Sequence, residues 1–443
     1  MERYSEYKDS GVKWLGEIPS HWKVEPFGSH FSFRKGLPIT KANLIDSGEA
    51  VISYGQIHAK ENLGTTMSES LVRYVSRDYL KSHPQCLLTK DDFVFADTSE
   101  DIGGSGNFVY NDFPANIFAG YHTIVAKQSG LYNLSYYAYL FKSECWRNHI
   151  RSLVNGVKVY SIGRKQLKSN FLLFPSYKEQ DAIVRYLDAA TSKIDKAIAM
   201  QQKMIDLLNE RKQIIIQNAV TKGLDENVEM KESGVEWIGR IPKHWEVSKL
   251  KYIIKKPLKY GANEASEYID YSCPRYIRIT DIDSNGKLKE DTFRSLPRDK
   301  AEPYLLSKGD ILFARSGATV GKAFLFEEEY KACYAGYLIK ASFDNKKVLS
   351  KFVYLYTQTL AYQRWKESIF IQATIQNISG EKYSNMQIAI PPISEQKKLI
   401  DWLLPRLNGF DSAITNCQRQ ITLLQERKQI IINEVVTGKV RVI

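Results

Sequence analysis

The stretch "KDSGVKWLGEIPSHWKV" occupies residues 8–24, and "KESGVEWIGRIPKHWEV" occupies residues 231–247. Eleven of the seventeen positions are identical, at an offset of 223. A second pair, "LLNERKQIIIQNAVTKG" from Leu207 and "LLQERKQIIINEVVTGK" from Leu423, stands at an offset of 216. The first copy therefore holds seven extra residues between its two motifs. "FADTS" (95–99) faces "FARSG" (313–317) at offset 218, and "AGY" at Ala119 and Ala335 is already at 216. A period this long is not a solenoid. It reads as a duplicated module whose ends are held and whose middle is free to vary.

The tail of each module predicts a long helix. In "SYKEQ", Ser176 is placed as N-cap with Glu179 three residues later, a capping box. No Gly or Pro follows until Gly223, which supplies the stop. Apolar residues recur at heptad spacing: Val184, Leu187, Ile194, Ile198, Ile205, Leu208, Ile215. The second tail repeats the phase with Ile400, Leu403, Leu407, Phe410, Ile414, Cys417, Ile421, Leu424 and Ile431. Two different sequences in one phase predict helices packed on each other. The alternative is that each stripe lies on its own globular domain. Pro405 and Gly409 are expected to bend the second helix.

Between these frames, 24–175 and 247–391, short apolar runs alternate with Gly-rich loops. "DDFVFA", "TIVAK" and "NFLLF" in the first, and "PRYIRIT", "DILFA" and "MQIAI" in the second, predict strands. Helical patches at 132–150 and 350–369 make each middle a mixed α/β domain. Trp14, Trp22, Trp237 and Trp245, with Ile18–Pro19 and Ile241–Pro242, read as a packing staple rather than a stacking surface. His21 and His244 read as structural histidines.

At 443 residues the chain exceeds one compact core. It contains no apolar run of about 18 residues, and its first residues lack the apolar centre of a signal peptide. Five scattered cysteines fit neither a disulfide framework nor zinc spacing, and no histidines pair at i, i+3 or i+4. A protein-held metal is not expected. Net charge is +12; residues 1–177 carry 20 Lys/Arg against 17 Asp/Glu, and 231–390 carry 26 against 19. Basic excess beside 27 Tyr and 19 Phe suits a nucleic-acid surface. Composition alone leaves an ordinary basic enzyme equally open.

The twice-written "SGV-W-G-IP-HW-V" opening, the "P-x-x-EQ" helix start and the "LLxERKQxII" helix end together resemble the specificity subunit of type I restriction-modification enzymes. The resemblance covers the whole chain in the order recognition domain, helix, recognition domain, helix. It implies a mixed α/β fold with a pseudo-two-fold internal repeat: two similar target-recognition domains separated and joined by two long helices packed as an antiparallel coiled coil. The boundaries expected are 1–177 and 224–391 for the recognition domains, 178–223 for the first spacer helix, and 392–443 for the second helix and tail. The resemblance implies a non-catalytic subunit of a cytoplasmic host-defence system. Its expected partners are duplex DNA, two methyltransferase subunits and two restriction/translocase subunits. S-adenosylmethionine, ATP and Mg are expected on those partners, and no cofactor on this chain. The repeat itself supports a similar reading, since two similar domains on a rigid spacer should read two half-sites at fixed separation. A helix of about 45 residues is ~68 Å long, roughly 20 base pairs at most. Different middles within equal frames predict an asymmetric target.

Residues for in-chain chemistry are lacking. The only Pro-Pro is in "IPPI" (390–393), a helix lead-in rather than a methyltransferase motif. "SGATVGKA" (316–323) mimics a phosphate loop, but Gly317 and Gly321 are one residue too close and Ala323 replaces the metal-binding hydroxyl. The loops suit DNA contact better. The candidates in the first domain are Tyr54, Gln56, Lys60, Thr98, Ser105, Asn107, Lys158, Tyr160, Arg164 and Lys165. In the second they are Arg275, Arg278, Thr280, Arg315, Ser316, Thr319, Lys322, Gln372, Thr374, Gln376 and Asn377. Arg suits guanine, Asn and Gln suit adenine, and Lys suits phosphate. Any of these residues could instead serve a solvated turn. Arg315 matches a recurrent family pattern, whereas Asp97 stands at its place in the first domain and could accept from cytosine or be structural. The competing reading keeps the coil and makes the chain an interaction scaffold whose domains bind protein.

Overall fold

The computed structural model describes residues 2–442 except 113–115, 157, 266, 284–285, 318 and 371–375. The chain divides into two units, one of Met1–Gln201 with Arg419–Ile443, the other of Gln202–Gln418. Two long helices, Tyr177–Lys222 and Ile393–Val436, each give one end to one unit and one end to the other.

Each copy of the repeat opens on a hairpin. Tyr7–Asp9 pairs with Glu17–Pro19, and Met230–Glu232 with Arg240–Pro242. Gly16 and Gly239 turn these hairpins at φ of 64° and 73°, a region a side chain strongly disfavours. The next strand, Lys23–Pro26 or Glu246–Lys249, pairs with the last strand of the same domain, Phe171–Phe174 or Gln387–Ile390. That closure brings the ends of each variable middle together.

Inside the closure lies a four-stranded antiparallel sheet. In the first unit its order is Phe31–Lys35, Thr123–Gln128, Phe93–Ala96, Phe108–Tyr110. In the second it is Lys259–Tyr260, Leu338–Ala341, Ile311–Ala314, Ala323–Leu325. A parallel pair accompanies each: Glu49–Ile52 with Ile117–Ala119, and Arg275–Ile277 with Ala332–Tyr334. The inner strands "FVFA" and "ILFA" are buried on both faces, which explains their unbroken apolar runs. Phe93 and Phe95 face one core while Val94 and Ala96 face another, as do Ile311 and Phe313 against Leu312 and Ala314.

The helix ends are core, not only spacer. Ile183, Leu187 and Ile194 join Ile432, Val435 and Val436 in the first unit's core. Ile216 and Val220 join Leu399 and Leu403 in the second. Each unit also carries one ion pair between the long helices: Lys428 with Asp195 at 2.6 Å, and Lys212 with Asp411 at 2.6 Å. The two pairs are copies at offset 216. The second helix runs through Pro405 without interruption, and the capping box at Ser176–Glu179 forms as expected.

The copied residues build one joint, twice. Glu179 accepts from Trp22 Nε1 at 3.2 Å and meets His21 Nε2 at 2.7 Å; Glu395 does the same with Trp245 at 3.1 Å and His244 at 2.8 Å. Buried Gln180 accepts from the Asn133 amide and donates to Pro175 O, and Gln396 does so with Leu349 and Pro391. A Cβ on Gly223 would lie 3.5 Å from Trp245, and one on Gly438 3.0 Å from Trp22. The end of the chain is thereby docked on its beginning: Tyr7 Oη donates to Gly438 O at 3.1 Å, and Tyr136 Oη to Val436 O at 2.9 Å.

Candidate nucleic-acid interface

Three loops converge at the same place in each unit. In the first, residues following Phe93–Ala96 meet the segment before helix Arg164–Lys168: Tyr160 and Ser161 pair with Ser99 and Thr98, and the Ile162 amide donates to Asp97 O at 2.9 Å. The Asp97 amide donates to His122 O at 3.1 Å. The second unit repeats this ladder. Ser316 bridges Asn377, the Ile378 amide donates to Arg315 O at 2.8 Å, and the Arg315 amide donates to Tyr337 O at 3.0 Å. Asp97 and Arg315 are therefore structurally equivalent.

Most side chains at this point differ between the two units. In the first unit His58 Nε2 meets Thr98 O at 2.8 Å, and His58 Nδ1 meets Asn107 Nδ2 at 3.0 Å. Asp97 Oδ1 accepts from Thr98 Oγ1 at 2.8 Å and faces His122 Nδ1 at 3.2 Å. Tyr54 packs edge-on to His58 and His122. In the second unit Arg315 lies 4.9 Å above the Tyr260 ring. Tyr260 Oη accepts from the Gly380 amide at 2.8 Å, and Tyr337, whose carbonyl accepts from the Arg315 amide, is 66% exposed.

The Gly-rich loops are pinned from the adjoining helices. Arg147 and Arg151 both donate to Gly103 O, at 2.6 and 3.3 Å. Burial lowers the Arg147 guanidinium to about 10. In the second unit Tyr362 Oη donates to Gly321 O at 2.7 Å, and a Cβ on Gly321 would sit 2.1 Å from Lys366 Cδ. Burial also lowers the Lys366 ammonium below its ordinary value.

The sequence candidates separate into groups. Thr98, Asn107, Tyr160 and Tyr54 join the first convergence, as Arg315, Ser316 and Asn377 join the second. Gln376 is exposed next to it. Gln56 spends its amide oxygen capping the Ser53 amide at 3.1 Å, and Ser105 is buried. Lys60 and Lys158 are exposed. Arg164 and Lys165, with Lys168, line a basic cleft of about 560 Å³ that Ser32 and Ser129 complete. Arg275 is buried and donates to Lys289 O at 2.5 Å. Arg278 is engaged by buried Asp281 through two nitrogens, at 3.0 and 2.7 Å. Thr280 is exposed, Thr319 half-buried, and Lys322 donates to Asp283 O at 2.6 Å. Gln372 and Thr374 lie outside the described residues. Sequence reading missed His58, His122, Tyr260 and Tyr337. Tyr337 had a signal in the copied "AGY"; the others had none.

Among the described residues no group of three His, Cys, Asp or Glu side chains could hold a metal ion, and no helix is long and apolar enough to cross a membrane. A family model described as the type I restriction modification DNA specificity domain matches this chain twice, at residues 19–204 and 242–424. The chain belongs to that family. The two matches make it a type I specificity subunit with two DNA-specificity domains. It is 22% identical over 450 residues to the type I restriction enzyme MjaVIII specificity subunit of Methanocaldococcus jannaschii, covering 98% of this chain and 97% of the relative. It is 25% identical to the putative MjaX specificity subunit of the same organism, covering 98% of each chain. A solved chain from work on complex assembly and conformational transition of the type I R-M system shares the fold, with a TM-score of 0.66 at 13% identity, covering 96% of this chain and 99% of that one.

Proposed function

We propose that this specificity subunit reads an asymmetric, bipartite site on duplex DNA, one half per domain, and that it does no catalysis itself. The observation that carries the reading is the paired loop convergence. One backbone ladder is written twice, yet it presents Asp97, Thr98 and Tyr160 in one unit and Arg315, Ser316 and Asn377 in the other. A shared scaffold with unshared polar tips suits two different base sequences. The long helices, 46 and 44 residues, act as an antiparallel coil whose length sets the gap between half-sites. Methyltransferase and restriction subunits dock on the chain and bring S-adenosylmethionine, ATP and Mg, and the complex works in the cytoplasm.

The test is reconstitution with the methyltransferase partner, followed by mapping of methylated adenines. Replacing residues 24–175 with another such domain is expected to change one half of the modified sequence and leave the other intact. Alteration of both halves, or of neither, would count against one half per domain. Binding that weakens linearly in log salt on duplex DNA excludes the protein-binding scaffold.

A further inference from the structure

Three arginines of the second domain were expected at DNA, and the structure spends two of them internally. Arg275 is bonded to Lys289 O, and Arg278 is held by Asp281 and Thr292 O. Arg315 differs. Among the described residues it has no ion pair and no side-chain hydrogen bond, and its Nε is buried without a partner. Burying an unpaired donor costs free energy unless an acceptor arrives from outside.

Its position is nonetheless fixed. The Arg315 backbone is bonded on both sides, to Tyr337 O and from the Ile378 amide. Tyr260 supports the guanidinium face at 4.9 Å, and the Gly380 amide holds that ring through its hydroxyl. The chain leaving Tyr260 then passes so close to the end of the strand Ala332–Tyr334 that a Cβ on Gly261 would lie 2.3 Å from Tyr334 O. A guanidinium held against a ring offers its donors in one plane. That fork matches two acceptors on a planar edge, as guanine O6 and N7 present in the major groove.

Phosphate is the competing acceptor, and the first unit argues against it. The equivalent residue there is Asp97, whose Oδ1 is engaged by Thr98 and His122 while no described donor is bonded to Oδ2. Phosphate is the same in every sequence, so a phosphate contact gains nothing from exchanging a cation for a carboxylate. A base contact does: the exchange turns a reader of acceptors into a reader of an exocyclic amino group.

We propose that position 97/315 is the specificity-determining position of both domains: Arg315 reads a guanine, with Tyr260 as its positioning residue, and Asp97 reads an amino-bearing base, cytosine or adenine. This rests on the DNA-reading function proposed above. The experiment uses the full chain assembled with its methyltransferase partner and a duplex library randomised at the wild-type site. For Arg315→Gln, selectivity for guanine at one position of one half-site is expected to fall ~10- to 100-fold, with every other position unchanged. Asp97→Asn is expected to flatten one position of the other half. Arg315→Lys keeps the charge but loses the fork, and should lose the same preference as Arg315→Gln. Retained selectivity at the untouched half reports that each variant is folded. Uniform weakening across all sequences, with a salt slope shallower by about one, makes Arg315 a phosphate contact and overturns the assignment. Unchanged selectivity overturns it too. Both results leave the bipartite reading standing, whereas absence of sequence-selective binding by the wild-type complex removes that reading first.

Discussion

Glu179 and Gln180 are adjacent and do separate jobs, and each is repeated 216 positions later. The glutamines are 2% and 0% exposed, and both ends of each amide are bonded to backbone. Gln180→Leu strands one amide N–H and one carbonyl, and Gln396→Leu one amide N–H and two carbonyls, Pro391 O and Lys347 O, at a cost of about 1–3 kcal/mol for each group stranded. Denaturant unfolding should show that loss. Burial acts to raise the Glu179 carboxyl, but hydrogen bonds from His21, Ser176 and Trp22 together outweigh it and hold it below its ordinary value. A carboxyl depressed by folding contributes stability above its unfolded value and loses it as pH falls through its folded value. Glu179→Gln is therefore expected to be less stable than wild type at neutral pH, with the difference closing in acid. A constant difference across a pH series of melts would contradict the assignment.

At the scale of elements, the long helices are tied by packing at their ends and only lightly by charge. Leu187 and Leu403 are both 0% exposed, so Leu187→Ala or Leu403→Ala should cost about 2–5 kcal/mol in its own unit. The copied ion pairs have carboxylates 55% and 57% exposed. Asp195→Asn and Asp411→Asn should each change stability by less than about 1 kcal/mol. Amide exchange on each variant separates these outcomes, because protection should fall in the leucine variants and barely move in the asparagine ones. Gly36 and Gly261 mark where the chain leaving the outer strand passes the end of the parallel pair, at Ile117–Ala119 in one unit and Ala332–Tyr334 in the other. A Cβ would come within 2.1 Å of Gly120 O and 2.3 Å of Tyr334 O, and backbone cannot yield as a side-chain tip can.

For the whole molecule, the proposed gap follows helix length. One heptad inserted near Met204 is expected to change the spacing between modified half-sites or abolish modification, and unchanged spacing at full activity would defeat that idea. Much of this architecture was legible in the chain, because repeats and heptads are local patterns. Ser176 and Glu179 announced the helix start, and the paired offsets announced two modules. Arg278 carried a weaker signal, with Asp281 three residues on. Arg275 carried none, since its acceptor, Lys289 O, lies fourteen residues away across a turn.

The sequence by itself determined the repeated frame: the hairpin, the Trp–His–Glu joint, the glutamine clamp and the long helices all arise from residues copied at constant spacing. Tertiary structure alone decided that the end of the second helix belongs to the core of the first unit. It also decided that Arg315 keeps its donors while Arg275 and Arg278 do not. The physical reason is range. Periodicity and capping are set by neighbours a few residues apart, whereas a hydrogen bond is spent or spared by groups that only folding brings within 3 Å or so.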